Sequence, residues 1–310
     1  MTKITPLCLA VLTGCLAPLA NADESVGANS GFAKSIHPVT NPVNFDSALP
    51  STIIRPIFLY QSMPSSISTQ AGDVALGGDL QLYAMQAEVA LNERFSIVAA
   101  KDGYIVFNPD NTLVDAEGWA NLAAGVKWAF IYDPEDNLAI SLKTIIELPT
   151  GNTDVWQGGK YYAITPSVGF LKMWGDFQLS SETGFVVSLN DNGSDEFFSS
   201  WHASYGFWDM FFPLVELNYF QVISPGNGNP RFGAQAGGAV PSIVNFEGGD
   251  LVNFGASNSD VYSSIVTAAV GFRVRPIDSV DIGAAFEVPV TQTSHNLMQN
   301  RVTVDVVWSF

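Results

Sequence analysis

The residues best equipped for chemistry lie in one short stretch, His202-Ala203-Ser204. On an extended strand, residues two apart project from the same face. The imidazole and the hydroxyl would then sit side by side, and such a histidine can take the serine proton and create a nucleophile for acyl transfer. A working pair also needs a third group to orient the imidazole, and no clear one follows in the sequence. Trp201, Ala203, Tyr205 and Phe207 form the apolar parity of this stretch, which turns His202 and Ser204 to the polar side. The preferred reading is a polar pair, with no catalytic residue and no enzyme. His37 and His295 share no metal-ligand spacing with His202, and neither HExxH, a P-loop nor a GxGxxG opening a helix occurs. No cofactor and no metal site is expected.

A second group of polar residues is informative collectively. Lys127, Lys143, Glu147, Glu182, His202, Glu216, Arg273, Arg275, Asp281, Glu287, Arg301 and Asp305 each stand on the polar parity of an alternating segment. In "WANLAAGVKWAFIY", Leu122, Ala124, Val126, Trp128, Phe130 and Tyr132 share one face, and Asn121, Gly125 and Lys127 the other. In "RVTVDVVWSF", Val302, Val304, Val306, Trp308 and Phe310 oppose Arg301, Thr303, Asp305 and Ser309, with Val307 among the polar set. Period two means strand. About twelve such segments of roughly ten residues run between positions 52 and 310. Their connections alternate between short ones, near 133–137, 174–176, 209–211 and 276–279, and long ones, near 63–79, 108–118, 150–159, 191–199 and 224–259. The phase blurs at Lys101-Asp102-Gly103, which suggests a bulge. Val244-Asn245-Phe246 and Val252-Asn253-Phe254 around Gly248-Gly249 suggest a hairpin within the longest loop.

Composition narrows the classes. The 310 residues are 47% hydrophobic and only 14% charged, with a formal net charge of -17. An acidic chain lacks the basic patch that nucleic acid requires. The start, "MTKITPLCLAVLTGCLAPLANADES", has Lys3, an apolar stretch from Ile4 to Leu19, and the small-x-small site Ala20-Asn21-Ala22. Residues 1–22 read as a secretory signal peptide cleaved after Ala22. Leu12-Thr13-Gly14-Cys15 also fits a lipobox, but the apolar stretch runs past Cys15, so lipidation there is the less favoured reading. Both cysteines, Cys8 and Cys15, fall in this segment. No later stretch has the roughly 18 consecutive apolar residues of a spanning helix. Residues 23–50, rich in Ser, Asn, Pro and Gly, read as an irregular arm and a candidate plug.

These observations lead to an all-β fold: a transmembrane antiparallel up-and-down β-barrel of about 12 strands over residues 51–310, in the bacterial outer membrane. Backbone amides cannot stay unpaired in hydrocarbon, so strands cross it only as a closed barrel. The apolar parity then meets lipid and the polar parity lines the lumen, as a salt-bridged network or as a selective filter. Tyr132, Trp174, Phe177, Trp208, Phe211, Phe212, Trp308 and Phe310 gather at the short-turn ends, as an interfacial girdle would. A soluble sandwich would bury the same apolar parity instead.

The motif "ELPTGN" at 147–152, the signal sequence and the terminal aromatic make residues 52–310 resemble a barrel family of transporters known as the MetA-pathway of phenol degradation. The resemblance implies a passive outer-membrane channel for small solutes, hydrophobic or aromatic growth substrates among them. Terminal Trp308 and Phe310 resemble the signal read by the barrel-assembly machinery, which joins outer-membrane lipids and a small-molecule solute as expected partners. His-x-Ser also resembles the arrangement of outer-membrane phospholipases and lipid A deacylases, so a lipid hydrolase using His202 and Ser204 is one alternative. A lumen-blocked structural or adhesive barrel is another.

Overall fold

A computed structural model describes residues 31–69, 72–158, 162–227, 246–249, 254–256, 264–291 and 296–310. The segment expected to be a signal peptide (1–22, with Cys15 and Ala22), the first part of the arm (23–30) and His295 lie outside the described residues.

The strands are β1 (Ile53–Ser62), β2 (Ser66–Thr69), β3 (Gly72–Ala75), β4 (Asp79–Asn92), β5 (Phe95–Lys101), β6 (Tyr104–Asn108), β7 (Ala116–Trp119), β8 (Leu122–Asp133) and β9 (Leu138–Leu148). There follow β10 (Ala163–Trp174), β11 (Phe177–Ser188), β12 (Asp195–Tyr205), β13 (Phe211–Ser224), β14 (Phe246–Gly249), β15 (Phe254–Ala256), β16 (Ser264–Ile277), β17 (Val280–Pro289) and β18 (Asn300–Ser309). The pairs β2–β3 and β14–β15 are two-stranded sheets in the loops; the second lies in the loop where the repeated Val-Asn-Phe runs suggest a hairpin, but Gly248 and Gly249 belong to its first strand and not to its turn. The remaining strands form one antiparallel sheet that closes on itself, because β1 pairs with both β18 and β4. β5 with β6, and β7 with β8, are each one wall strand broken in two, so the closed barrel has twelve strands.

The breaks fall at Asp102–Gly103, where the phase blurs in sequence, and at Ala120–Asn121, within a stretch that the sequence pattern reads as one unbroken strand. Gly103 has φ +124°, a conformation that side chains beyond glycine rarely adopt, and a Cβ there would meet Leu82 and the Tyr83 carbonyl. Asp102 takes over where the ladder fails, its carboxylate accepting the Met85 amide at 2.8 Å.

Closure leaves the apolar parity outside. Leu122, Val126, Trp128, Leu142, Ile146, Val215, Leu217, Val270, Phe286, Val302 and Val304 are exposed. In a soluble sandwich they would be the core; here they form a band that only lipid can cover. Trp174, Phe177, Trp208, Phe211, Trp308 and Phe310 continue it at the short-turn end. Two residues assigned to this girdle face inward instead. A bulge between Ala129 and Ile131 shifts the alternation, so Tyr132 turns to the interior and packs on Phe32 at 5.7 Å between ring centroids. Phe212 is buried and carries the Arg275 guanidinium over its ring at 5.2 Å. The chain end is tied in, because Phe310 donates its amide to Thr52 O at 3.0 Å beside the start of β1.

Candidate functional site

The arm provides the first fact about the interior. Residues 31–52 enter from the short-turn end, where Lys34 bridges Asp176 at 2.7 Å and Asp209 at 2.8 Å. Lys34 holds its proton more tightly than a free lysine because both aspartates accept hydrogen bonds from it. The arm runs inward to Thr40 and reverses over Asn41–Phe45, with Asn41 in the left-handed region (φ 50°) and its carbonyl accepting the amides of Asn44 and Phe45. It then returns to β1. His37 Nδ1 and Asp46 Oδ1 clasp the two legs at 3.0 Å.

This backbone is buried but belongs to no sheet, so its polar groups need other partners. The wall charges supply them, sorted by sign. Cations take its carbonyls: Arg273 Nε and Nη2 bond His37 O (2.5 Å) and Pro38 O (2.9 Å), Arg55 Nη2 bonds Pro38 O (2.7 Å), and Arg275 bonds Ala33 O and Ser35 O at 2.8 and 2.9 Å. Anions take its amides: Glu216 accepts Val39 N (2.9 Å), Thr40 N (2.7 Å) and Thr40 Oγ1 (2.5 Å), Glu182 accepts Asp46 N (2.9 Å), and Glu88 accepts Ser51 N (3.1 Å).

Most wall charges are paired in turn. Asp305 lies between Arg273 (2.8 Å to each oxygen) and Arg55 (2.6 Å), all three at 1% exposure or less. Gly283 makes room for this cluster, since a Cβ there would strike Asp305 Oδ1 and Arg273 Nη1. Arg275 forks onto Asp281 at 2.7 and 2.9 Å. Lys127 sits 2.8 Å from both Asp46 of the arm and Glu88 of the wall. Its like-charged neighbour across the sheet, Lys143, pairs instead with Glu182 at 2.7 Å. Towards the long-loop end, Arg301 contacts Glu287 at 3.3 Å and grips Gln61 Oε1 with two nitrogens, while Asn218 and Thr267 bond Glu287. Lys101 pairs with Glu147 at 2.6 Å, and Asn121 bonds the same oxygen.

His202 has a fuller environment than its sequence suggested. Its Nδ1 lies 2.8 Å from Glu216 Oε1 and its Nε2 3.0 Å from Ser204 Oγ. Glu216 is the orienting group missing from the linear reading. It comes from the next strand, where register places it directly opposite His202.

Sequence reasoning missed Arg55, Glu88 and Asp46, and put Gln178 on the polar face of its strand without a role. Arg55 is hidden in the apolar run "IIRPIFLY", and Glu88 and Gln178 stand on strands whose partners were unknown. For Arg55, Glu88 and Gln178 the one available signal was parity, because each lies an even number of residues from other inward positions; Asp46 stands on the arm, outside any strand.

The long-loop half differs in character. Leu59, Met63, Leu76, Leu80, Leu82, Ile105, Phe107, Ala120, Val155, Trp156 and Leu297 form an apolar cluster inside the wall. Trp156 is buried there although its φ is +62°, an unfavourable conformation for a bulky residue. The "ELPTGN" segment staples this loop to the break in the wall: Asn121 Oδ1 accepts Gly151 N (3.1 Å) and Gly158 N (2.7 Å), and Asn152 N bonds Trp119 O (2.8 Å).

A closed twelve-stranded barrel, apolar outside and ionic within, with an arm held in its lumen, is an outer-membrane-type β-barrel. Residues 59–239 match the family described as "Putative MetA-pathway of phenol degradation", and the chain belongs to that family. Its fold is similar to that of an outer membrane channel from Pseudomonas putida F1, at a TM-score of 0.60 and 12% identity over 89% of this chain and 100% of that one. More distant likenesses are the KdgM porin in complex with disordered oligogalacturonate (TM-score 0.44, 10% identity, 82% and 99% of the two chains) and LpxR from Salmonella typhimurium (0.46, 8%, 83% and 100%). No curated protein sequence matches the chain.

Proposed function

We propose that this barrel passes small solutes across the outer membrane when its arm leaves the lumen, and that the barrel as a whole serves passage rather than catalysis. One observation carries the reading. The arm is held by side chains of the wall and by no strand pairing, so it can leave without breaking the sheet. Wall charges that now bond the arm would then line an aqueous path. The apolar cluster around Trp156 favours hydrophobic or aromatic solutes, because a polar solute there would lose its water without replacement. Family membership agrees with this solute class, and the likeness to a channel supports the fold that such passage needs. Lipids and the barrel-assembly machinery are the further partners we assign.

The filled lumen favours one rival, a permanently blocked structural barrel. Reconstitution in planar bilayers separates the two. The channel reading expects discrete conductance steps, together with faster uptake of small aromatic solutes into liposomes. A heat-modifiable, correctly inserted barrel that gives neither would be a blocked one.

A further inference from the structure

Among the described residues, Ser204 and His202 form a buried nucleophilic pair that passage does not use, and Glu216 completes a relay with them. A carboxylate only accepts hydrogen bonds, so the Glu216 contact puts the neutral imidazole's proton on Nδ1. Nε2 is then left as the acceptor facing the Ser204 hydroxyl. This is the order of a base-activated serine: carboxylate, imidazole, hydroxyl.

Two further features complete the surroundings. Gln178 stands directly across the sheet from Ser204 on the same inward face. Its Nε2 donates to Ile36 O at 2.8 Å, and its Oε1 accepts Ile36 N at 2.9 Å. A side-chain amide beside the serine is therefore already holding a carbonyl oxygen, and that carbonyl belongs to the arm. Next to it, Ile36 and Val39 cover an apolar surface of Phe212, Leu214, Ala269 and Ala285. Leu214 is the cross-strand partner of Ser204. The arm thus occupies both the carbonyl-binding amide and the apolar patch, and it also fills Glu216 with Val39 and Thr40.

We propose that Ser204, His202, Glu216 and Gln178 form a latent acyl-transfer site for small hydrophobic carboxylic esters, shut by the arm in the resting barrel. With the arm displaced, the ester carbonyl takes the place of Ile36 O on Gln178, and its acyl group lies on Phe212 and Leu214. Ser204 Oγ attacks the carbonyl carbon and its proton passes to His202 Nε2. The bond to the alcohol oxygen breaks, and the alcohol leaves with that proton. Water from the opened lumen then attacks the acyl-serine, again giving a proton to Nε2. The carboxylic acid departs as Ser204 Oγ recovers its hydrogen. Glu216 stays ionised and holds the imidazole throughout.

The full-length barrel in detergent tests this with a fluorophosphonate probe and p-nitrophenyl butyrate. Arm release is driven by Ile36→Asp with Val39→Asp, and independently by Asp46→Asn with Lys34→Ala; protease access to residues 31–50 measures the released fraction. Labelling should map to Ser204 and rise in proportion to that fraction. Ser204→Ala should abolish both labelling and hydrolysis, and His202→Ala should lower them about 100-fold or more, the usual contribution of a general base. A released, heat-modifiable barrel whose serine stays unlabelled overturns the proposal, and so does labelling that survives His202→Ala. Conductance is scored on the same samples, so an inert serine in a conducting barrel leaves the passage reading standing.

Discussion

Asp46 is the residue on which arm docking turns. Its carboxylate joins the clasp to His37 at 3.0 Å and the anchor to Lys127 at 2.8 Å. Asp46→Asn keeps the shape and removes the charge. Breaking a buried ion pair by removing one partner costs about 3–5 kcal/mol. Lys127 keeps Glu88 at 2.8 Å, so the loss falls towards that of one charge-assisted hydrogen bond, about 2–3 kcal/mol. This energy bears on the docked arm alone, since the barrel ladder is untouched. At about 1.4 kcal/mol per tenfold, the undocked population should rise about 30- to 140-fold. Two measurements follow it: open probability in single-channel recordings, and maleimide labelling of a cysteine placed at buried Ser47, whose side chain faces no outside reagent while the arm is docked. Lys127→Met provides the control, because the effect of Asp46→Asn should shrink sharply in that background. Unchanged labelling and open probability in Asp46→Asn, or an equal effect with and without Lys127, would refute the claim that this pair holds the arm.

Other outcomes follow from the same geometry. Gly283→Ala pushes a methyl into the Asp305–Arg273 pair and should cost about 1–3 kcal/mol, read as a lower temperature for loss of the folded band on heated gels. Trp156→Ala empties the centre of the apolar cluster, so uptake of small aromatic solutes should rise while the barrel stays inserted. The Lys34 latch has a raised pKa, so its contribution is complete at neutral pH and is lost only as pH climbs through the elevated value. Maleimide labelling of the Ser47 cysteine should show no Lys34-dependent change between about pH 6 and pH 9, both below the lysine range; a Lys34→Ala difference that vanishes inside that window would contradict this. Deleting Phe310 removes its bond to Thr52 and its stack on Trp308 at 5.2 Å, and should reduce the amount of inserted barrel in outer-membrane fractions.

Much of the architecture was legible because alternation in a barrel strand is imposed from two sides. Lipid demands one parity apolar, and the interior tolerates charge on the other, so Val302 to Trp308 and Arg301 to Asp305 sorted themselves without any knowledge of contacts. The same logic failed where parity itself broke. One extra residue near Phe130 turned Tyr132 inward. In "WDMFFPLV" both parities are aromatic, so nothing in the pattern separated exposed Phe211 from buried Phe212. The arm was harder still, because it has no period, and its wall partners are scattered from 16 to 242 positions away on the chain.

The sequence by itself determined that this chain is a barrel, which parity meets lipid, and that its charges belong inside. Tertiary structure alone decided what those charges do. Register between neighbouring strands set Glu216 opposite His202 and Gln178 opposite Ser204. Closure brought Arg55 of the first strand to Asp305 of the last. The arm's backbone, left without a sheet, then took the wall's cations for its carbonyls and the wall's anions for its amides. The reason is general. Periodicity is a local property that a sequence writes along itself, whereas pairing, closure and the filling of a lumen depend on distances between residues remote from one another in the chain.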